Sequence, residues 1–365
     1  MSNVNGTGAT DSIEVGLLRR AANHLRTYPY AMWSTGDAIA FEAMLDVSIA
    51  LHEPEWRAWV HGALKAWRAC SQPFRESDDT AAGRAMCMIF ELVGDDAILD
   101  SAIELAQHLM TRRQVEGACV FREVAPLRQP FGSLILAERD RELLHDPGPC
   151  VLMNWLQMPL GFLAYLGSLT AQSEMVDFAA HQALAQLQLL QDDSGLLWHF
   201  WLERTRSRHG LGWGRGQVWS LLGLMDLLEF LPVHHQCSAP IADRARRLAS
   251  AIASHQLPEG GWPAVLVDTT SPIEASTACF AVASFSKGVH LSILDDRYQE
   301  HADRAWHHIQ VRLRSDGVLQ GVSGNIGAST LEGHYAGAPL DAIVPWGQGA
   351  LIIAAKWRGR LAAGL

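Results

Sequence analysis

The sequence predicts an all-α fold, an (α/α)6 barrel of six inner helices wrapped by six outer ones, and three observations carry that expectation. Apolar residues recur at helical spacing over most of the chain, strand signals are few and short, and two kinds of helix alternate. One kind is amphipathic, with a single apolar face; the other is apolar or small on most faces and belongs inside. The chain has 365 residues, 48% apolar and 19% charged, enough to bury a large core. It reads as one barrel domain over 13–365, preceded by a flexible tail over 1–12.

The interior-type helices follow one another in order. GDAIAFEAML starts at Gly36, DDTAAGRAMC at Asp78, NWLQMPLGFL at Asn154, WGRGQVWSLL at Trp213, EASTACFAVA at Glu274 and VPWGQGALII at Val344. Each opens on a turn, and the starts are 42 to 76 residues apart. That interval holds one inner helix, a turn, one outer helix and a loop, so the chain is a loose six-fold repeat. Trp56, Trp59, Val60, Leu64 and Trp67 mark one outer helix; Ala302, Ala305, Trp306, Ile309 and Leu313 mark another.

If the inner helices run parallel, their N-terminal turns meet at one mouth, where unpaired N–H groups and positive dipole ends favour an anion. The residues in those turns are the candidate site. They include Trp33, Asp37, Asp78, Asp79, Asn154, Trp155, Trp213, Arg215, Glu274, Trp346 and Gln348. Thirteen tryptophans are a heavy aromatic load, and an indole face in a polar cleft suits the C–H face of a sugar, although any one of them can equally be core.

Composition narrows the partner. The 39 acidic and 29 basic side chains leave a formal charge of −10, with no Lys/Arg-rich run, which argues against a nucleic-acid footprint or an anionic membrane surface. No window is apolar enough for a membrane helix and the first fifteen residues show no secretory pattern, so the expected setting is cytoplasmic. The six cysteines have no CxxC pair and read as reduced core residues. The histidine pairs 234–235 and 307–308 lack ligand spacing, so no metal and no other cofactor is expected. Neither a GxGxxG after a strand, a Walker sequence nor a GxSxG elbow occurs. The expected partner is a small anionic molecule, such as an anionic sugar; the sequence is also compatible with a homodimer.

Several segments together resemble one family. GLGWGRGQVWSLLGLMDLLEFLP resembles the WGRGNGW helix of the unsaturated glucuronyl and rhamnogalacturonyl hydrolases, glycoside hydrolase families 88 and 105. DDTAAGRAMCMIFELVGD, DDSGLLWHFWLE, EGGWP with EASTACFAVASFSKG, and VPWGQGALIIAA resemble further segments of that family in the same order. The resemblance implies hydration of an unsaturated uronide: an aspartic acid protonates C4 of the C4=C5 enol ether, water adds at C5, and the hemiketal opens to release the aglycone.

The resemblance also implies roles for single residues. The family's general acid falls at Asn154 in VLMNWLQMPLGFLAYLG, and a carboxamide has no acidic proton to give. Asp78 matches a second family aspartate and is a candidate acid, with a helix N-cap as its alternative; Asp37 carries the same ambiguity. His199, between aromatics in LLWHFW, is a candidate substrate contact or a core histidine. Arg215 suits a uronate carboxylate bidentately or a salt bridge at the helix entry. Trp213 and Trp219 match the motif, whereas Gln217 and Val218 replace its Asn and Gly. Trp33, Glu274 and Trp346 complete the expected cleft. Two alternatives stay open beside hydrolysis: a barrel repurposed for isomerisation, elimination or cyclisation, and a carbohydrate binder without turnover.

Overall fold

The computed structural model describes residues 7–71, 73–76 and 81–359. Fourteen helices and five very short strands account for the regular structure of these residues. The outer helices are α1 (Thr7–Arg26), α3 (Pro54–Ser71), α5 (Asp96–Met110), α8 (Ser173–Leu190), α10 (Ser238–Ser254) and α12 (Arg297–Gln310). The inner ones are α2 (Thr35–Leu51), α4 (Gly83–Val93), α7 (Asn154–Leu169), α9 (Gly214–Phe230), α11 (Ala275–His290) and α14 (Pro345–Trp357). Each inner helix packs on the next, and α14 returns to α2 to close the ring. The fold is the (α/α)6 barrel that the sequence predicts.

Burial separates the two rings as patterning requires. Fifteen of the seventeen residues of α9 are buried, as are fourteen of the sixteen of α11, so helices apolar on most faces form the inner wall. In α12 only one stripe is covered, by Tyr298, Ala302, Ala305, Trp306, His308 and Ile309. The inner ring is tight enough for backbones to touch: a Cβ on Gly223 of α9 would lie 2.0 Å from the Leu156 carbonyl oxygen of α7.

Two boundaries differ from expectation. Helix α1 begins at Thr7, within the segment 1–12 read as a tail, and as a whole it packs on α14 and α2. Helix α4 begins at Gly83, five residues after Asp78; Asp78 and Asp79 lie outside the described residues. Of the cysteines, Cys70 is exposed rather than core; the other five are buried, and all six are free.

The barrel axis is not uniformly apolar. Toward the C-terminal ends of the inner helices, Lys287, only 1% exposed, binds Asp226 and reaches Glu229 Oε2 at 2.6 Å. Arg84 Nε donates to Glu42 at 3.0 Å and its guanidinium lies 3.8 Å from Asp226, while Lys356 pairs with Asp46 at 2.8 Å. Burial acts to raise the pKa of Asp226, but Arg84 and Lys287 outweigh it and hold it below the usual carboxylate range, so it stays charged.

Between the helices, β1 (Gln114–Val115) pairs antiparallel with β2 (Ala118–Cys119). A three-stranded sheet of β3 (Cys150–Leu152), β4 (Phe200–Leu202) and β5 (Ser207–His209) stands at the N-terminal end of α7, with Leu152 opposite Phe200 and Phe200 opposite His209. The short helices α6 (Glu138–His145) and α13 (Gly333–Ala336) lie in the long loops on the same side.

Candidate active site

The N-terminal turns of α2, α7, α9 and α14 open on one cavity of 380 Å³. Met32 to Gly36, Leu152, Asn154, His199, Trp213, Arg215, Trp219 and Trp346 line it, together with Phe121, Arg122, Pro126 and Arg128 from one loop and Asn325 to Ala328 from another. Four indoles, of Trp33, Trp213, Trp219 and Trp346, therefore line a single space, whereas Trp155, also expected at the mouth, is fully buried and does not line it.

Each is fixed from behind. Trp33 has φ 55°, a left-handed conformation that a bulky residue adopts only under constraint, and its ring is held edge-on by Trp67 and tilted against Phe74. Trp213 and Trp346 flank the Arg215 guanidinium, at 5.4 and 5.5 Å from its centre. The Trp346 Nε1–H donates to the Ser323 carbonyl at 2.9 Å. Trp219 stacks on Phe280 at 5.9 Å, leaving its Nε1 with no hydrogen-bond partner.

Asn154 opens α7 directly after β3, and its side chain lines the cavity with Oδ1 buried and unpartnered. A buried amide oxygen and a buried indole N–H without partners each cost stability unless a ligand supplies them. His199 is carried to the wall by backbone bonds on both sides: its carbonyl accepts from Met153 N–H and its N–H donates to the Gly210 carbonyl. The imidazole Nδ1 lies 2.8 Å from the Tyr335 hydroxyl. Burial, then the charges of His334 and Arg215, push the His199 pKa down to about 3, so the ring is neutral near pH 7.

Arg215 reaches the wall with both terminal nitrogens engaged, while its buried Nε has no hydrogen-bond partner. Nη1 donates to Ser323 Oγ at 2.7 Å and to the Ser323 carbonyl at 3.2 Å, and lies 3.5 Å from Glu274; Nη2 donates to the Gly324 carbonyl at 3.2 Å. Its charge thus fastens the loop that forms one rim of the cavity, the salt-bridge alternative for this residue. Burial lowers its pKa below the ordinary guanidinium value, with Glu274 acting against that shift.

Three residues expected in the cleft stand behind it. Gln217, fully buried, spends its amide on Leu197, accepting from the backbone N–H at 2.7 Å and donating to the carbonyl at 2.8 Å. Glu274 caps α11, accepting from Thr277 N–H at 2.8 Å, and also accepts from Ser276, Thr277 and Ser323 hydroxyls and from Ser323 N–H. Asp37 accepts from Ser34 N–H at 2.7 Å, three residues upstream, as a helix cap does. Val218 packs in the core and does not reshape the cavity. No group of three His, Cys, Asp or Glu side chains among the described residues is placed to hold a metal ion.

Sequence reasoning missed the loop contribution. Arg122, Arg128 and Asn325 lie outside the helix starts, and Tyr335 behind His199 has no local motif. With them included, the described wall carries three guanidinium groups and no carboxylate, in a protein of net charge −10.

The profile of Glycosyl Hydrolase Family 88 matches residues 18–361. The chain belongs to that family. It is 22% identical over 324 residues to the unsaturated rhamnogalacturonyl hydrolase YesR of Bacillus subtilis (strain 168), covering 87% of each chain. Among solved structures it is similar to a possible member of the GH105 family from Klebsiella pneumoniae subsp. pneumoniae MGH 78578, with TM-score 0.78, 20% identity and coverage of 98% of this chain and 96% of that one. It is also similar to the unsaturated glucuronyl hydrolase of Bacillus sp. GL1, with TM-score 0.67, 15% identity and coverage of 95% and 96%. Among the described residues no helix is long and apolar enough to cross a membrane.

Proposed function

We propose that this family 88 chain is an unsaturated uronyl hydrolase-like protein that binds an unsaturated uronide in the cavity and hydrates it slowly, because Asn154 stands where the family's general acid is expected. The observation that carries this reading is the wall itself: four indole faces for a sugar ring, and cationic side chains without a described carboxylate, which select an anion. Membership of the family and likeness to an unsaturated rhamnogalacturonyl hydrolase support the same substrate class.

In this reading the indoles stack on the ring's C–H face. The neutral His199, with Nδ1 engaged by Tyr335, offers Nε2 to a ligand hydroxyl or to the attacking water. The Asn154 carboxamide orients that water or hydroxyl but supplies no proton. Hydration needs a proton at C4 and a hydroxyl at C5: Asp78, the carboxyl that the family resemblance offers, gives the proton to C4, and the water that adds at C5 returns one to the ionised Asp78. The C5 hemiketal then opens and the aglycone leaves.

The test is loss of the C=C ultraviolet absorbance of an unsaturated uronide panel, run with wild type, Asn154→Asp and Asp78→Asn. A positioned general acid is worth ~10²–10⁴ in rate. Wild type should turn over slowly, Asn154→Asp should gain within that range, and Asp78→Asn should lose the residual activity. Undiminished turnover by Asp78→Asn removes Asp78 as the acid. Failure of both wild type and Asn154→Asp to bind or consume any uronide overturns the substrate class.

A further inference from the structure

The loop that carries Arg128 is built into the rim of the cavity. Leu127 bridges Ala328 in parallel fashion, and the Arg128 N–H donates to the Ala328 carbonyl at 2.8 Å. Three residues on, Phe131 stacks on His334 at 4.7 Å with the rings 8° apart, and its N–H donates to His334 Nδ1 at 3.3 Å. His334 Nε2 lies 2.8 Å from the Ile326 carbonyl, so both loops are held as one rim.

That rim fixes the Arg128 stem. Gly327 has φ +68°, and a Cβ there would fall 2.7 Å from Arg128 Cδ and 2.9 Å from Nε. The side chain therefore lies directly on the Gly327 backbone, in space that any other residue would fill.

The three arginines of the wall differ in what they have left to offer. Arg215 is buried, with both terminal nitrogens taken by Ser323, Gly324 and Glu274 and its Nε unpartnered. Arg122 donates to the Glu76 and Phe121 carbonyls. Arg128 is exposed to the cavity mouth, and its guanidinium has no hydrogen bond or ion pair among the described residues.

We propose that Arg128 is the specificity-determining cation of this cleft, pairing through its planar fork with the carboxylate of the sugar ring; the inference rests on the uronide reading given above. A guanidinium held by its stem and open at its fork suits a planar carboxylate better than a hydroxyl. The Arg215 of the WGRG motif then acts as a positioning residue for the rim.

The quenching of tryptophan fluorescence measures this, since four indoles line the cavity. The full chain is titrated with an unsaturated uronic-acid disaccharide and with its neutral methyl ester, for wild type, Arg128→Gln and Arg128→Lys. A charge-assisted pair at a partly exposed site predicts a loss of about tenfold to a hundredfold in affinity for the acid on Arg128→Gln, with the ester unchanged and partial recovery by Arg128→Lys. Equal loss for acid and ester, or no loss for either, overturns the role of Arg128 while leaving the uronide reading intact. Wild type that binds neither ligand overturns that reading and this inference together. Melting temperatures of the variants, expected to match wild type at an exposed position, guard against a folding effect.

Discussion

Asp37 is expected to tilt the stability of the whole barrel against pH. Its carboxyl is fully buried at the first turn of α2, with Oδ2 accepting from Ser34 N–H and Oδ1 without a partner. Burial pushes its pKa up to about 8, against the lowering effect of the backbone N–H groups of Ser34 and Ala38. The folded protein then holds one more proton than the unfolded chain between the unperturbed carboxylate range and about pH 8. Stability from this group is fully present below pH 4 and is lost as pH rises through that window, at about 1.4 kcal/mol per pH unit. By pH 7 the loss reaches roughly 4 kcal/mol, an upper figure because other groups and relaxation share it. Asp37→Asn keeps an oxygen for Ser34 N–H and removes the proton. Urea unfolding of wild type and variant at pH 5, 6, 7 and 8 reads the difference: the variant should gain on wild type by close to one proton's slope, so that their stabilities diverge as pH rises. Parallel pH profiles would refute the reasoning, and an Asn variant that loses ground with rising pH would reverse its sign.

Further outcomes follow from contacts elsewhere in the barrel. Lys287→Met leaves Asp226 with Arg84 at 3.8 Å as its nearest cation and should cost about 3–5 kcal/mol in denaturant unfolding, with Lys287→Met/Asp226→Leu recovering most of it. Gly223→Ala drives a methyl into the α7 backbone at Leu156 and Gln157 and should cost more than about 3 kcal/mol, read as loss of soluble yield or a large fall in melting temperature. Tyr335→Phe removes the hydroxyl beside His199 Nδ1, costing about 1–3 kcal/mol, and should alter the imidazole nitrogen chemical shifts of His199 by NMR, which a purely steric role for Tyr335 does not.

The barrel was legible because its two helix types differ in composition and not only in period. Of the six inner starts read from turns, Gly36, Asn154, Trp213, Glu274 and Val344 fall within one residue of the observed first helical residue. Asp78 lies five residues before Gly83, the first residue of α4, and outside the described residues. The side chains within each first turn were harder to sort. Arg215 and Trp219 are four apart on α9 and share the cavity face, whereas Gln217, midway between them, turns away to Leu197. Glu274 and Asp37 show the other ambiguity, since an acidic residue at a helix start is read equally well as a ligand contact or a cap, and both serve backbone N–H groups. Arg122 and Arg128 carry no periodic signal at all; their loop is brought to the mouth by distant pairings, Arg122 with Cys150 and Leu127 with Ala328, the latter 201 positions apart.

The charge on the cavity wall gives the Asn154 position its meaning. A proton donor at the mouth must keep its proton until the substrate arrives, and nearby guanidinium groups oppose this by favouring the ionised form of any carboxylate beside them. An acid working in such surroundings needs burial, or the substrate's own negative charge, to hold its pKa up. His199 cannot replace it, because burial keeps the ring neutral down to about pH 3. Binding the anion and protonating it are therefore separable demands on this wall. In the proposed reading Arg128 and the indoles meet the first. Asn154→Asp tests the second in the most direct way, for it adds a carboxyl where Oδ1 is already buried and unpartnered. A rate gain there, with uronide affinity still governed by Arg128, would show that recognition and proton transfer reside on different elements, α7 for the proton and the fastened rim loops for the charge.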